Sequence, residues 1–508
     1  MAPPGSQIPS ANADAAETEV TLTHECEPLG AGSTYPGRPT HVRYGVMAFL
    51  CALSFLTYFD RVCIMRAAAD IQRDLGLTDG QMGKVFSAFW LAYALFEIPM
   101  GRWGERFGAR TTLTRIVLAW SLFTALSGSA VGFLSLLSFR LLFGIGEAGA
   151  YPNMARVQSR WLPAQAIGRA GGLLWLTARW GGAFSPLIFG AMLRALDSAA
   201  FRSAVAGVPL LNHLAHAPAW RMGFWASGLL GLVWVALFYP WFRDDPAAKA
   251  SVNAAELDLI RSGRKPAPPA GDGRGDAGRD NAGRDNAGRD DVGHAAAPGM
   301  WRALFTSRSL LALALLYLFG SFGWSFFVSW MPRFLKDVHH LPVEKIELAM
   351  PLFYGGISCL AGGWLSDYVV RRTGRKRLGR AFFPVVGCTT AAAAMVGIPF
   401  VKTPGQAVVL MCVASAAFDF GQGANWASIV AIGGRYAGSA TGLINMIGNM
   451  GNVIQPIVGA WIFHRFGWPV LFAIYGGCYL AAASMWLLID PRRTFYEDAD
   501  VSAVEGTG

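Results

Sequence analysis

The chain has 508 residues, of which 53% are hydrophobic and only 15% are charged. Soluble proteins carry about a quarter charged residues, so this composition excludes an ordinary soluble domain. The formal net charge of +10 does not indicate a nucleic-acid partner, because the basic residues lie between apolar runs, where they orient a membrane protein. The seven cysteines have no metal-ligand or disulfide spacing. No nucleophile triad, metal cluster or phosphate loop is recognisable, so we expect no enzyme, no cofactor and no metal.

Residues 1–42 are polar and lack the basic start and apolar stretch of a signal peptide, so we predict a disordered cytoplasmic tail. The following apolar runs reach about 20 residues, the length that a helix needs to cross about 30 Å of hydrocarbon. Six spans are predicted in residues 43–242, near 44–66, 80–101, 112–131, 133–155, 168–193 and 221–242. Six more are predicted in residues 301–491, near 309–334, 347–368, 381–401, 406–432, 436–463 and 468–490.

Residues 243–300 separate the two sets of spans. They contain the tandem stretch AGRDNAGRDNAGRDD, whose composition cannot build a core, so we predict a low-complexity cytoplasmic linker. A second cytoplasmic tail is predicted for residues 492–508. The predicted fold class is therefore an all-α membrane protein with 12 transmembrane helices in two six-helix pseudo-symmetric halves.

Basic residues in the connections orient the chain. They are concentrated in 102–110 after span 2, in 156–169 between spans 4 and 5, and in 371–380 after span 8. These connections share one side of the membrane, although the loops after spans 1, 5 and 7 also carry some basic residues. The positive-inside rule puts both termini and the linker in the cytoplasm. We expect a monomeric multi-pass protein of a bacterial inner membrane, with the lipid bilayer as its surroundings.

The two halves carry matching segments. GRWGERFGAR follows span 2, from Gly101 to Arg110, and GWLSDYVVRRTGRKR follows span 8, from Gly363. In each segment an acid, Glu105 or Asp367, lies four residues after the first glycine. Repeated halves of this kind are how many secondary transporters achieve alternating access.

Several charged residues lie inside apolar spans, where a charge costs about 2.5–3.5 kcal/mol on insertion scales. Such charges either pair only to lock helices together or serve a function. Because a purely structural buried pair is often neutral for stability, the retention of several favours a function. The residues concerned are Asp60, Arg61, Arg140, Glu147, Arg179 and Asp419. A guanidinium binds a carboxylate through two hydrogen bonds, so Arg61 is a candidate anion anchor. Buried carboxyl groups can exchange protons near neutral pH, so Asp60 and Glu147 are candidate proton carriers.

Three tryptophans and one further acid within the spans are given other roles. Trp175 and Trp180 are expected to be lipid or interface anchors, as aromatic residues at membrane boundaries commonly are. Trp324 lies in a glycine-interrupted span, where a cavity-lining role is plausible. Glu97, beside Pro99, is expected to be an interfacial or helix-packing residue.

In the charged parts of spans 1 and 4, in the loop after span 2 and in span 11, the sequence resembles the major facilitator superfamily. Within it, the sequence is similar to the anion:cation symporter family, which includes bacterial galactonate and other sugar-acid transporters, sialin and vesicular glutamate carriers. The resemblance covers residues 42–490 apart from the linker. In the loop after span 2, Glu105 replaces the usual Asp. The residues that carry the resemblance are Gly101, Arg106, Gly108 and Arg110 in that loop, Tyr58, Asp60 and Arg61 in span 1, Arg140, Glu147 and Pro152 in span 4, and ATGLINMIGNMGNVIQPIVG in span 11.

The resemblance implies roles for these positions. Arg61 would hold the substrate carboxylate, with Tyr58 and Tyr93 lining the pocket, while Asp60 and Glu147 would carry protons. The remaining assignments are Arg140 as the residue that tunes these acids, Trp426 and Asn445 as ligand contacts from the second half, and Gly101, Glu105, Arg106, Gly108, Arg110, Gly363 and Asp367 as the gating motif.

Two features bear on the ligand. Sugar-acid carriers tend to have a polar amide in span 5, where this chain has Ala178 and Arg179, and Arg179 would suit a second anionic group if it faces the cavity. Aligning GEAGAY with GQGANW places Gln422 opposite Glu147, so the second half offers neutral hydrogen bonds. The hypothesis is that the first half couples protons while the second helps to select the ligand.

The function favoured by the sequence is proton-coupled symport of a small organic anion, either a sugar acid or an aromatic or dicarboxylic acid. An organic-anion antiporter or exporter could use the same residues. A transporter-like membrane sensor that signals through the linker is a third alternative.

Overall fold

The computed structural model describes residues 38–209, 212–262, 300–340 and 349–496. The predicted tail up to residue 37, the repeat in the predicted linker and residues 497–508 lie outside the described residues. Within them every regular element is a helix, which confirms the all-α prediction.

Ten helices occupy the described residues of the first half and the segment after it. They are α1 Val42–Leu75, α2 Asp79–Phe107, α3 Ala109–Ser127, α4 Phe133–Glu147, α5 Ala150–Trp161, α6 Ile167–Asp197, α7 Ala199–Ala206, α8 Asn212–Ala215, α9 Ala219–Trp241 and α10 Ala254–Arg261, with 3-10 turns at Ala164–Ala166 and Pro246–Ala248. Local sequence sets several boundaries. Gly76 ends α1 in the left-handed region, at φ 63°, and Thr78 begins α2 in a capping box with Gln81.

Eight helices occupy the described residues of the second half. They are α11 Met300–Thr306, α12 Arg308–Ser329, α13 Met331–His339, α14 Met350–Thr373, α15 Lys376–Gly397, α16 Pro404–Phe420, α17 Gln422–Gly433 and α18 Ala437–Ser484, with 3-10 turns at Ile398–Phe400, Gly434–Tyr436 and Met485–Leu487. Helix α18 contains a non-helical residue, Gly467, at φ 79°. This break divides α18 into the predicted spans 11 and 12.

Six helical stretches of the described chain are individually long and apolar enough to cross a membrane, and a bent pair of helices adds a seventh. One of the six, Pro404–Leu487, has 84 residues. A straight helix of that length would measure about 126 Å, several times the thickness of the hydrocarbon core. The stretch is broken at Gly434 and Gly467, and it therefore holds the three predicted spans 10, 11 and 12; a further break at Gly421 lies within span 10.

The two halves pack through glycines in pairs of facing helices. A Cβ on Gly101 of α2 would lie 2.6 Å from the carbonyl oxygen of Gly438 in α18, and a Cβ on Gly423 of α17 would lie 2.7 Å from the carbonyl oxygen of Gly168 in α6. Small residues at helix contacts let backbones approach closely in a membrane protein. These contacts lie toward the face that carries the described ends of the chain, residues 38–42 and 492–496, which we call the terminal face.

The segment after α9 is anchored to the start of α1. Glu256 of α10 is fully buried and accepts hydrogen bonds from the backbone of Val42 and Arg43 at 3.2 and 3.1 Å. It also pairs with the Arg43 guanidinium at 2.9 Å. Asn253 caps α10 and contacts Thr40. The predicted linker 243–300 therefore begins with an ordered segment, because Glu256 has buried partners in the first half.

Candidate ligand-binding cavity

A narrow cavity lies between the two halves, with walls from α1, α2, α5 and α6 on one side and α12, α16, α17 and α18 on the other. Its volume is about 60 Å³. A single buried water needs about 10–15 Å³, so the cavity has room for a few waters. The lining residues are Tyr58, Arg61, Trp90, Tyr93, Tyr151, Trp175, Arg179, Leu316, Tyr317, Ser321, Trp324, Phe418, Gln422, Asn445, Gly448, Asn449 and Asn452.

Arg61 brings a guanidinium group of the first half to this cavity. Its Nε donates to Glu147 Oε1 at 2.7 Å. The guanidinium carbon lies 4.3 Å from the ring centre of Tyr93 and 5.1 Å from that of Tyr58. Arg61 Nη2 is buried and has no hydrogen-bond partner among the described residues. Arg61 therefore combines one buried carboxylate partner with a donor that remains available.

Asp60 and Arg140 complete a buried cluster of two acids and two guanidinium groups. Asp60 interacts electrostatically with Glu147 and Arg140. These three residues are at most 2% exposed, and Arg61 is 7% exposed. Within the described residues, Asp60 Oδ1, Glu147 Oε2 and two nitrogens of Arg140 lack hydrogen-bond partners. The formal charges cancel in this cluster, although its hydrogen-bonding capacity is incompletely satisfied.

The helix that supplies Glu147 is broken beside that residue. Helix α4 ends at Glu147, and Gly149 has φ 84° before α5 begins. The matching span of the second half is divided at Gly421, between α16 and α17, with Gln422 at the break. Discontinuous helices of this kind place polar groups at the binding sites of many secondary transporters. The alignment of Glu147 with Gln422 thus corresponds to two broken helices on opposite sides of the cavity.

Arg179 lies at the cavity wall, but its guanidinium is already paired. It donates to both oxygens of Asp419, at 2.8 and 2.7 Å, and both residues are buried. The guanidinium carbon also lies 4.3 Å from the ring centre of Trp324. The pair joins α6 of the first half to α16 of the second. A second anionic group of a ligand would have to compete with Asp419 for Arg179.

The second half supplies amides to the cavity. Gln422 Oε1 is buried without a hydrogen-bond partner among the described residues. Asn445 Nδ2 lies 3.4 and 3.5 Å from the two carboxylate oxygens of Glu97. Glu97 is fully buried and lies one helical turn after Tyr93, on the same face of α2. The sequence predicts an interfacial or helix-packing role for Glu97, whereas its carboxylate lies beside Asn445 of the cavity wall. Its spacing from Tyr93 is the signal that could have placed it near the cavity.

Trp426 lies behind the cavity and does not line it. It is fully buried, and its Nε1 donates to Gln158 Oε1 across the halves at 2.6 Å. Its ring meets Tyr151 and Trp175 edge-on, at 6.2 and 6.1 Å. The structure therefore places Trp426 in a contact between the halves, while Trp175 lines the cavity instead of facing lipid.

The acids of the two gating segments each contact the other half. Glu105 accepts hydrogen bonds from the backbone and hydroxyl of Ser439, both at 2.8 Å. Asp367 accepts from the backbone of Gly168 and Arg169, at 3.2 and 2.7 Å, and pairs with Arg380 at 2.7 Å. Each carboxylate thereby meets the first turn of a helix, where the helix dipole favours negative charge. These two contacts, which we call the latches, join the halves at the terminal face.

The other gating residues lie in the same two segments as Glu105 and Asp367. Gly101 allows the close approach to α18 described above, and Gly363 of α14 does the same toward α6. Gly108 has φ 81° at the turn between α2 and α3. Arg110 donates through its backbone to Asp244 at 3.0 Å and through Nε to a carbonyl oxygen of α9 at 2.8 Å. Arg106 is exposed and packs its guanidinium over the ring of Phe107.

The architecture is that of a multi-pass membrane transporter. The fold is similar to the solved proton:xylose symporter XylE, with a TM-score of 0.62 and 16% identity over 90% of this chain and 98% of that chain. It is also similar to the human organic anion transporter MFSD10, with a TM-score of 0.60 and 13% identity over 88% and 100% of the two chains. These similarities confirm the arrangement of 12 helices in two halves.

The chain belongs to the Major Facilitator Superfamily, which its sequence matches over residues 50–449. It is 30% identical to a probable sulfoacetate transporter of Cupriavidus necator, over 89% of this chain and 95% of the relative. It is 27% identical to a D-galactonate transporter of Escherichia coli, over 89% and 96% of the two chains. The protein is therefore a transporter of this superfamily and not an enzyme.

Proposed function

We propose that this protein carries a small organic anion across the bacterial inner membrane by proton-coupled symport. The observation that carries the proposal is the ion pair between Arg61 and Glu147, in which Arg61 also lines the cavity between the halves. An anion that enters this cavity meets a guanidinium whose present partner is a carboxylate that can be protonated.

Competition for Arg61 provides the coupling. A ligand carboxylate that takes the place of Glu147 would leave a buried negative charge without its partner, and such a loss costs about 3–5 kcal/mol. Protonation of Glu147 removes this cost, because the ligand then supplies the negative charge beside Arg61. Anion binding and proton binding thus favour each other. Asp60 and Arg140 complete the charge balance, and we assign Asp60 as a second proton carrier and Arg140 as the residue that tunes both acids.

The chemistry of the cavity limits the class of ligand. Tyr58 and Tyr93 flank Arg61, and the amides of Gln422 and Asn445 lie on the opposite wall. This combination suits an acid that also carries hydroxyl or other hydrogen-bonding groups. Sulfoacetate and galactonate, the substrates named for two relatives, are the first candidates. Because the cavity is narrow, binding either one requires the walls to move apart.

Alternating access would follow from the latches and the glycine contacts. Glu105 and Asp367 each accept hydrogen bonds from the other half and so keep the terminal face closed. Loss of these hydrogen bonds would open the cavity toward that face. The basic connections near both latches support a cytoplasmic location of the terminal face, by the positive-inside rule. One chain contains the cavity and both gating segments, so a monomer is sufficient for transport.

Transport into liposomes tests the proposal. Purified protein is reconstituted, and uptake of labelled sulfoacetate, galactonate and glucarate is measured with and without an inward proton gradient. Symport predicts accumulation that the gradient drives and a protonophore abolishes. Exchange that needs internal anion but no proton gradient would identify an antiporter, and binding without any flux would favour a sensor.

A variant of Glu147 isolates the coupling step. Glu147→Gln should lose gradient-driven accumulation and keep exchange of internal for external anion, because the amide cannot cycle a proton. The matched control is Glu256→Gln, which changes another fully buried glutamate that pairs with an arginine, away from the cavity. Its ratio of accumulation to exchange should equal that of the wild type. Gradient-driven accumulation that persists in Glu147→Gln would refute the role of Glu147.

A further inference from the structure

A large groove opens on the membrane-facing side of the second half, between α15 and the last part of α18. Its volume is about 1020 Å³. The apolar walls are formed by Leu378, Ala381 and Val385 on α15 and by Leu480, Ala483 and Leu487 on the other side. The three leucines, Leu378, Leu480 and Leu487, are 49–75% exposed. We call this feature the basic groove, because cations surround its end at the terminal face.

Four basic residues lie at that end: Arg375, Lys376, Arg377 and Arg492. The Arg377 guanidinium donates to the carbonyl oxygen of Leu487 at 3.3 Å and so connects the two walls. The side chains of Arg375 and Lys376 are exposed, and neither has a hydrogen-bond or ion-pair partner among the described residues. At least two positive charges are therefore available at the mouth of the groove.

The start of α15 adds a second source of positive potential. This helix has 22 residues, and its cap residue, Arg375, makes no side-chain capping hydrogen bond. The first backbone N–H groups of a helix have no acceptor within the helix, and they attract anions. The matching helix of the first half, α3, has its own acid there, because Asp244 accepts from the backbone of Arg110.

The corresponding acid of the second half is directed elsewhere. Asp490 follows the last span, as Asp244 follows α9, but both of its carboxylate oxygens bind Arg492, at 2.7–3.2 Å. These hydrogen bonds lower the pKa of Asp490, so its carboxylate stays ionised and stays with Arg492. Among the described residues, no acid takes at the beginning of α15 the place that Asp244 has at the beginning of α3.

The length of the groove matches one leaflet of a bilayer. Its α15 wall extends from Leu378 to Thr389, a rise of about 16 Å at 1.5 Å per residue. Half of a hydrocarbon core of about 30 Å is about 15 Å. An occupant with acyl chains could lie against the leucines while its charged group reaches the cations.

We propose that the basic groove binds an anionic phospholipid of the leaflet at the terminal face. The headgroup phosphate contacts Arg375, Lys376 and the first turn of α15, and an acyl chain lies along the apolar walls. Basic pockets between transmembrane helices on the cytoplasmic side bind anionic headgroups in other membrane proteins. Free phosphate would use the same cations but would leave the apolar walls uncovered.

Native mass spectrometry of the detergent-purified protein with added phosphatidylglycerol or phosphatidylcholine tests the assignment. Phosphatidylglycerol should bind at least tenfold more tightly than phosphatidylcholine. Each basic residue near a headgroup contributes about fivefold in affinity, so R375Q/K376Q should weaken phosphatidylglycerol binding on the order of 30-fold. The matched control is R302Q/R308Q, which removes two other exposed charges near the same face and should leave the affinity unchanged. The charge-reversed R375E/K376E should be weaker still.

A further variant separates a lipid from a free anion. Ala381→Trp fills the apolar wall without changing any charge and should reduce phosphatidylglycerol binding, whereas inorganic phosphate should displace the lipid poorly. The proposal is overturned if the wild type has no preference for the anionic lipid. It is likewise overturned if R302Q/R308Q weakens phosphatidylglycerol binding as much as R375Q/K376Q does. It is also overturned if Ala381→Trp has no effect while phosphate competes fully. Thermal unfolding of each variant checks that its fold is retained.

Discussion

Replacing Asp367 with Asn should open the terminal face. In the wild type one carboxylate oxygen accepts from the backbone of Gly168 and the other from that of Arg169, and the charge also pairs with Arg380. Asparagine has a single carbonyl oxygen, so at most one of the two bonds between the halves survives. Its amide nitrogen would also face a backbone donor.

The magnitude follows from these contacts. A hydrogen bond to a charged group contributes about 1.5–3 kcal/mol, and a neutral one about 1 kcal/mol. Losing one charged bond and making the other neutral weakens the closed terminal face by about 2–5 kcal/mol. The ratio of closed to open molecules should therefore fall by about 30- to 5000-fold, since about 1.36 kcal/mol corresponds to tenfold.

Double electron–electron resonance measures this ratio. Spin labels at Ala164 and Arg371 report the separation of the halves, since both positions are exposed near the terminal face and lie on different halves. The Asp367→Asn variant, in a cysteine-free background, should gain a population with a longer distance.

The control is Asp337→Asn, which changes an exposed acid that pairs with Arg333 at 3.2 Å within one helix. Exposed pairs of this kind contribute about 0–1 kcal/mol, so its distance distribution should match that of the wild type. A folded Asp367→Asn protein with an unchanged distribution would show that the latch does not hold the terminal face closed.

Three other substitutions test the contacts between the halves and the cavity. Trp426→Phe removes the donor to Gln158 and should destabilise the protein by about 1–3 kcal/mol, visible as a lower midpoint of thermal unfolding; an unchanged midpoint would count against the contact. Gly101→Val places a side chain against the carbonyl of Gly438 and should cost about 1–3 kcal/mol, so transport should fall in liposomes while Gly101→Ala has a smaller effect. Asn445→Leu removes an amide from the cavity wall and should raise the KM for the anion more than it lowers kcat, and equal KM values would remove Asn445 from the ligand site.

Most of the fold could be predicted from the sequence because a membrane sets the length of its helices. Span 2 was predicted to end at residue 101, but α2 continues to Phe107, because the amphipathic segment GRWGERF extends the helix beyond the hydrocarbon. Span 4 was predicted as one helix, yet Gly149 divides it. Hydropathy does not register such a break, since glycine and alanine are compatible with the apolar run.

The candidate site was predictable only in part. The charges of Arg61 and Glu147 were conspicuous in apolar sequence, and helical spacing could place them on defined faces. Their partners depend on how distant helices meet. The pairing of Arg179 with Asp419 joins residues 240 positions apart, and no local pattern contains that distance. For the same reason the sequence could not show that Trp426 binds Gln158.

The buried pair of Arg179 and Asp419 has a consequence for how the two halves can move. Breaking such a pair costs about 3–5 kcal/mol, so a rigid rotation that pivots on the pair is favoured over one that pulls it apart. Gly168, at the second latch, precedes Arg179 by eleven residues in α6, which gives a lever arm of about 16 Å along the helix. A rotation of about 20° about this pair would separate the latch groups by about 6 Å and would open a path from the terminal face to the cavity.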